Sequence, residues 1–187
     1  LEPTIAKSAE ASYEYAKAIG TRFPVGEEAI LKDGAMAFRY TRDVIKGRWE
    51  EAEPVISTCR EWGGGWVPLL YTELVNYRKR NKIRIPVMEE EIRKYPVVAI
   101  RYAKRTLKGR WEEAEPLILS NPSTAIKYAQ SVTGPIPEVE ESVKGNPRYA
   151  YQYAKKVLGG RFEAGEAAIA RNGQYSCWYA YGVLHSR

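Results

Sequence analysis

Seven glutamates recur along this 187-residue chain at fixed separations from arginines and tyrosines, and these are the side chains equipped for ionic or proton-transfer chemistry. Glu2, Glu27, Glu53, Glu89, Glu115, Glu140 and Glu166 each stand three residues before an aliphatic anchor. The anchors are Ile5, Ile30, Ile56, Ile92, Ile118, Val143 and Ile169, at spacings of 25, 26, 36, 26, 25 and 26. Eight residues before an anchor comes Arg22, Arg48, Arg84, Arg110 or Arg161, broken only by Pro135. The next residue is Phe23, Trp49, Ile85, Trp111, Ile136 or Phe162. Ten residues after the anchor stands Tyr15, Tyr40, Tyr102, Tyr128, Tyr153 or Tyr179, while Tyr71 is displaced five further in the long third unit. A catalytic carboxylate is one group tuned for one task, so a carboxylate repeated in every unit behaves as a structural column. The arginines and glutamates form either an ion-pair ladder, locking neighbouring units or tying a loop to the element after it, or a repeated binding subsite.

Other reactive groups are sparse. His185 is the one histidine, and Cys59 and Cys177 stand 118 positions apart, so clustered zinc ligands and a disulfide framework are both excluded. Free thiols in a reducing compartment are the expectation. The triplet Gly63-Gly64-Gly65 is not followed by the Lys-Ser or Lys-Thr of a phosphate loop. No enzymatic activity, metal or cofactor is expected.

The positioning elements follow from the period. Around each tyrosine the apolar and small residues fall at helical spacing, as in Phe38, Tyr40, Thr41, Val44 and Ile45. Ser8, Asp33, Asn121, Asn146 and Asn172 stand where a helix N-cap belongs, and Pro122 and Pro147 follow at the first helical position. Gly47, Gly109, Gly134 and Gly160 are expected to end these helices in a left-handed conformation, with Gly20 doing so one place earlier. This gives a first element, helix A, of about 12 residues. The second, helix B, carries proline six residues before its anchor (Pro24, Pro86, Pro137) or two before it (Pro3, Pro54, Pro116), never both. The later proline removes a donor in mid-helix and predicts a short element that is partly 3₁₀ or begins late. A pair of about 26 residues cannot bury its own apolar face. The expected fold is therefore all-α, a single α-solenoid of two-helix repeats over residues 1–187, with a longer third repeat and insertions near 57–69 and 77–84.

Binding chemistry is concentrated on one face of helix A. It comprises Arg39, Arg42 and Lys46 in the second unit, Arg101, Lys104, Arg105 and Lys108 in the fourth, then Lys127, Lys155 and Lys156. Helix B carries the opposite sign, so the surface is striped, and the chain has a net charge of +6. Such a basic ridge suits phosphates or merely keeps molecules apart. It lapses in the third unit, where Leu70, Leu74 and Tyr77 replace cations and suggest a protein contact. The same unit inserts a glycine hinge between Trp62 and Trp66, and a basic run of Arg78, Lys79, Arg80, Lys82 and Arg84. Insertions in repeat proteins often gather on a binding face. The tyrosines read as core, and a stacking role requires that some be exposed.

The stretches Tyr40 to Pro54 and Tyr102 to Pro116, with their shared Lys-Gly-Arg-Trp-Glu-Glu-Ala-Glu-Pro, resemble tandem repeats of tailed-phage proteins. The resemblance covers nearly the whole chain, departs at Pro135 and in the third unit, and implies a viral or environmental origin and a non-enzymatic scaffold. It transfers no functional residue.

Three functions are compatible with these features: a protein-binding or assembly scaffold, a single-stranded RNA or DNA binder, and a structural protein self-associating head to tail. Leu1 enters in mid-unit and Arg187 stops before a tryptophan would follow, which favours an excerpt of a longer array over head-to-tail completion. No membrane span is expected, and the location is the cytoplasm, or the host cytoplasm or virion for a phage protein.

Overall fold

Proline placement decides how each helix B is built. The computed structural model describes residues 1–79 and 83–185. Arg80, Lys82 and Arg187, and the side chains of Arg78 and Lys79, lie outside the described residues. The described residues are helical with no strand and fall in two compact units, Leu1–Val98 and Ala99–Arg187.

The first unit holds α1 (Glu2–Ile5), α2 (Ala9–Ile19), α3 (Pro24–Ile30), α4 (Gly34–Tyr40), α5 (Glu53–Ser57), α6 (Trp66–Lys79) and α7 (Pro86–Ile92). It ends within α8 (Pro96–Tyr102). The second holds α9 (Glu115–Leu119), α10 (Pro122–Tyr128), α11 (Pro137–Val143), α12 (Pro147–Tyr153), α13 (Glu163–Ile169) and α14 (Gly173–Tyr179). Where proline stands six before the anchor it opens a full seven-residue helix, as in α3, α7 and α11. Where it stands two before, Glu50–Ala52 and Glu112–Ala114 are 3₁₀ turns and the α-helix starts only at Glu53 or Glu115. The late, partly 3₁₀ element is what the proline positions predict.

The capping residues act as expected. Side-chain oxygens of Ser8, Asp33, Asn121, Asn146 and Asn172 accept backbone N–H groups in the first turns of α2, α4, α10, α12 and α14. The other end of helix A differs from expectation. After the tyrosine the chain widens into a π turn of five residues: Thr41–Ile45, Ala103–Leu107, Ala129–Thr133, Ala154–Leu158 and Ala180–Leu184. Lys46 N–H donates to Thr41 O at 2.8 Å, Gly134 to Ala129 O at 2.8 Å and His185 to Ala180 O at 3.1 Å, each spanning five residues. In three repeats the left-handed position falls one residue earlier than expected. It is occupied by Lys46 and Lys108 at φ 56° and by Gly159 at φ 61°, so Gly47, Gly109 and Gly160 do not end their helices. Gly20 and Gly134 do take positive φ, at 74° and 71°. A left-handed lysine bears a Cβ clash that costs on the order of 1 kcal/mol. Lys46→Gly is therefore expected to raise stability by roughly 0.5–1 kcal/mol, seen as a higher urea midpoint with unchanged slope.

Within the first unit α2 packs on α4 and α4 on α6, while α1 packs on α3 and α5 on α7. Within the second, α10 packs on α12 and α12 on α14, α9 on α11, and each π turn on the next. The anchors from Ile30 onward are buried, as are the repeat-column tyrosines Tyr40, Tyr71, Tyr102, Tyr128, Tyr153 and Tyr179. Burial of this aromatic and aliphatic surface is the main force holding helices too short to be stable alone.

The third-unit insertion is pinned, not a free hinge. Trp62 meets Phe38 edge-on at 5.7 Å, and Gly65 runs so close beneath Tyr95 that an added Cβ would come within 2.8 Å of the ring. Asn76 secures the far side, its Nδ2 donating to Ile83 O at 3.0 Å and its Oδ1 accepting from Ile83 N at 2.5 Å. The inserted residues loop out, so Tyr71 still reaches the carboxylate of Glu53, at 3.1 Å.

Candidate binding surface

The three repeated columns converge on one buried arrangement. In its fullest form, Arg110 Nε and Nη2 donate to the two oxygens of Glu115 at 2.9 and 2.6 Å, and the Tyr128 hydroxyl donates to Glu115 Oε1 at 2.8 Å. The same hydroxyl accepts the backbone N–H of Trp111 at 2.8 Å. Arg22, Glu27, Tyr40 and Phe23 repeat it, as do Arg48, Glu53, Tyr71 and Trp49, and Arg161, Glu166, Tyr179 and Phe162. The bidentate guanidinium geometry gives the strongest form of carboxylate pairing. Where Pro135 replaces arginine, Tyr153 still bonds Glu140, at a longer 3.2 Å.

The aromatic after each arginine has a second task. Phe23 packs on the ring of Tyr15 at 4.9 Å while its N–H serves Tyr40; Trp49 likewise packs on Tyr40 at 5.2 Å while its N–H serves Tyr71. Phe162 bridges Tyr153 and Tyr179 in the same way. Each aromatic thus joins two successive tyrosines, gaining ring contact from one and hydrogen bonding from the other.

Electrostatics follow from this wiring. The guanidinium of Arg22 beside Glu27, of Arg110 beside Glu115 and of Arg161 beside Glu166 holds each carboxyl below the ordinary range. Burial pushes the Tyr40 hydroxyl up to about 12 and raises Tyr71, Tyr128, Tyr153 and Tyr179 as well. These tyrosines stay neutral near pH 7, each donating to its carboxylate, and Tyr40, Tyr71, Tyr128 and Tyr179 also accept a backbone N–H. The carboxylates of Glu27, Glu53, Glu115 and Glu166 are thus engaged by internal donors. Among the described residues there is no group of three His, Cys, Asp or Glu side chains able to hold a metal ion.

The outer face of helix A divides by unit. In the first, Arg39 pairs with Glu61 at 2.5 Å and Arg42 with Asp43 at 2.7 Å, while Lys46 is exposed. Tyr13 also donates to Asp43, whose carboxyl the Arg42 guanidinium holds down to about 2. Two arginines of the expected ridge are thus neutralised locally. In the third repeat Trp66, Leu70 and Leu74 are half-buried, whereas Trp62 is 44% and Tyr77 87% exposed. In the second unit Arg101 is half-buried and Lys104, Arg105, Lys108, Lys127, Lys155 and Lys156 are exposed.

Sequence reasoning missed an aromatic cluster. Tyr151 lies 6.0 Å from both Tyr175 and Trp178, and those two meet edge-on at 5.4 Å. Trp178 and Tyr181 are exposed, the latter 79%. The signal was available: Trp178 and Tyr181 continue, in the seventh repeat, the columns held by Lys127 and Lys155 earlier. Among the described residues no helix is long and apolar enough to cross a membrane. No family model, curated protein or solved structure matches the chain.

Proposed function

We propose that the protein is a non-enzymatic helical-repeat scaffold, an α-solenoid whose A and B helices stack in two rows and whose outer A face binds a protein partner. The observation that carries this reading is the division of labour within each repeat. The arginine, glutamate and tyrosine columns close on themselves, whereas Trp62 and Tyr77 of the third repeat are among the large apolar side chains left exposed. Large exposed aromatics beside locally neutralised arginines suit a protein interface, where such side chains act as anchors. The likeness to tailed-phage repeats adds a virion or an infected cell as the setting.

Comparative affinity capture with wild type and a Trp62→Ala/Tyr77→Ala double variant tests it. The expected result is a partner retained by wild type and weakened at least tenfold in the variant, with folding unchanged. A variant that captures the same proteins equally well removes the third repeat as the interface, and mass rising with concentration in sedimentation would make the partner a second copy.

A second reading, single-stranded nucleic-acid binding, is favoured by a specific observation. Within the second unit, helix A and its π turn occupy residues 99–108, 122–133, 147–158 and 173–184, and contain no Asp or Glu. Binding to nucleic acid that falls steeply as salt rises supports it, and no binding at low salt removes it.

A further inference from the structure

We infer that the last two repeats form a stacking site for single-stranded nucleic acid, with Trp178 and Tyr181 as base platforms and Lys155 and Lys156 as phosphate contacts. The inference rests on the second reading above and gives it a location. Its basis is the juxtaposition of exposed rings and cations on helices that contain no acid.

The π turn bearing Lys155 and Lys156 packs directly on the π turn bearing Tyr181 and Gly182. Lys155 and Tyr181 are equivalent residues of successive repeats, as are Lys156 and Gly182. At Gly182 there is no side chain to cover the neighbouring ring, and a Cβ there would lie only 3.7 Å from the Tyr151 hydroxyl. Lys155 Nζ sits 3.2 Å from that hydroxyl and 5.7 Å from the ring centre. Tyr151 and Tyr175, both half-buried, hold Trp178 from one side and leave it 44% exposed. Tyr181 meets His185 edge-on at 6.4 Å and is 79% exposed.

Charge complementarity selects the occupant. The helix B acids of these repeats are mostly engaged: Glu141 by Lys144, Glu163 and Glu166 by Arg161, and Glu140 by Tyr153. An anion approaching the π turns therefore meets Lys155 and Lys156 with no acid in the same helices. A run of acidic side chains would satisfy the lysines but offers no aromatic faces to the exposed rings. A single strand supplies both, with phosphates for cations and bases for aromatic faces. A duplex hides its bases within its own stack, so the site discriminates against it.

Fluorescence anisotropy tests this with the full chain and labelled oligothymidylate and oligouridylate of about 12 nucleotides, from about 50 to about 200 mM salt. Wild type should bind the single strands more tightly than duplex of equal length and more tightly than polyglutamate, with tryptophan fluorescence quenched. Trp178→Ala should weaken binding by about fivefold or more without changing the salt slope. Trp178→Phe should restore most of the affinity. Lys155→Ala/Lys156→Ala should flatten the slope by about 1.4. Tyr181→Ala repeats the stacking test at a more exposed ring if Trp178→Ala lowers the helical signal. No binding at low salt overturns both the site and the second reading. Unchanged affinity in both aromatic variants, or equal affinity for duplex, overturns the stacking site alone. Preference for polyglutamate overturns it in favour of an acidic protein partner.

Discussion

Tyr128→Phe is expected to destabilise the protein by about 2 kcal/mol, far more than removal of one exposed hydroxyl. The lost oxygen is the acceptor for the buried Trp111 N–H and a donor to Glu115, so the change strands one backbone donor and weakens a charge-assisted network. An unsatisfied buried donor costs about 1–3 kcal/mol, and for a chain of this size the melting temperature should fall by roughly 4–8 °C. Tyr153→Phe supplies the internal comparison. Its hydroxyl bonds Glu140 at 3.2 Å, and that half-buried carboxylate has proline in place of its arginine. Water can replace the lost bond there, so the cost should stay below about 1 kcal/mol. Equal losses for the two variants would show that the Trp111 N–H and Arg110 add nothing to the arrangement.

Alkaline titration should produce the second large effect. The folded state raises the hydroxyls of Tyr71, Tyr128, Tyr153 and Tyr179 and places Tyr40 at about 12, against 10.0 when unperturbed. A raised folded value means that the unfolded chain loses the proton first. The stabilisation is therefore complete below about pH 10 and is lost as pH rises through the folded values. For Tyr40 alone, two pH units correspond to about 3 kcal/mol. Several such groups titrate together, so a large part of a typical domain's stability of about 5–15 kcal/mol is at stake. The helical signal should therefore collapse cooperatively between about pH 10 and 12, with late-titrating tyrosinate absorbance appearing in the same step. A smooth titration of all tyrosines near pH 10 with the helices intact would contradict the assignment. The acid limb has the opposite sign. Glu27, Glu115 and Glu166 are lowered, so their contribution is present above about pH 4.5 and fades below it, and solvent screening of the exposed arginines keeps it smaller.

Local features were the legible part of the sequence. A cap such as Asn146 and a helix-opening proline such as Pro137 act on their own backbone, and their positions in the structure are those their chemistry dictates. The arginine, glutamate and tyrosine columns were visible as columns but not as one network. Tyr128 reaches Glu115 across 13 residues and Trp111 across 17, a closure set by how the intervening turn folds. The π turn was hidden for another reason. Widening a helix by one residue after Tyr40 leaves the apolar stripe through Val44 and Ile45 nearly unchanged, so periodicity placed the left-handed residue at Gly47 instead of Lys46. Trp178 and Tyr181 were hidden because they flank a core tyrosine of the repeat, Tyr179; only their column positions set them apart.

The bridging aromatics bear on how such a gene can change length. Phe23 supplies a ring to the tyrosine before it and an amide to the tyrosine after it, and Trp49 repeats both offers one module later. Cutting at the same point in two modules and rejoining them hands Phe23 the next tyrosine in place of its own, with every interior donor still matched. Unequal exchange between copies can therefore lengthen or shorten the protein in whole modules.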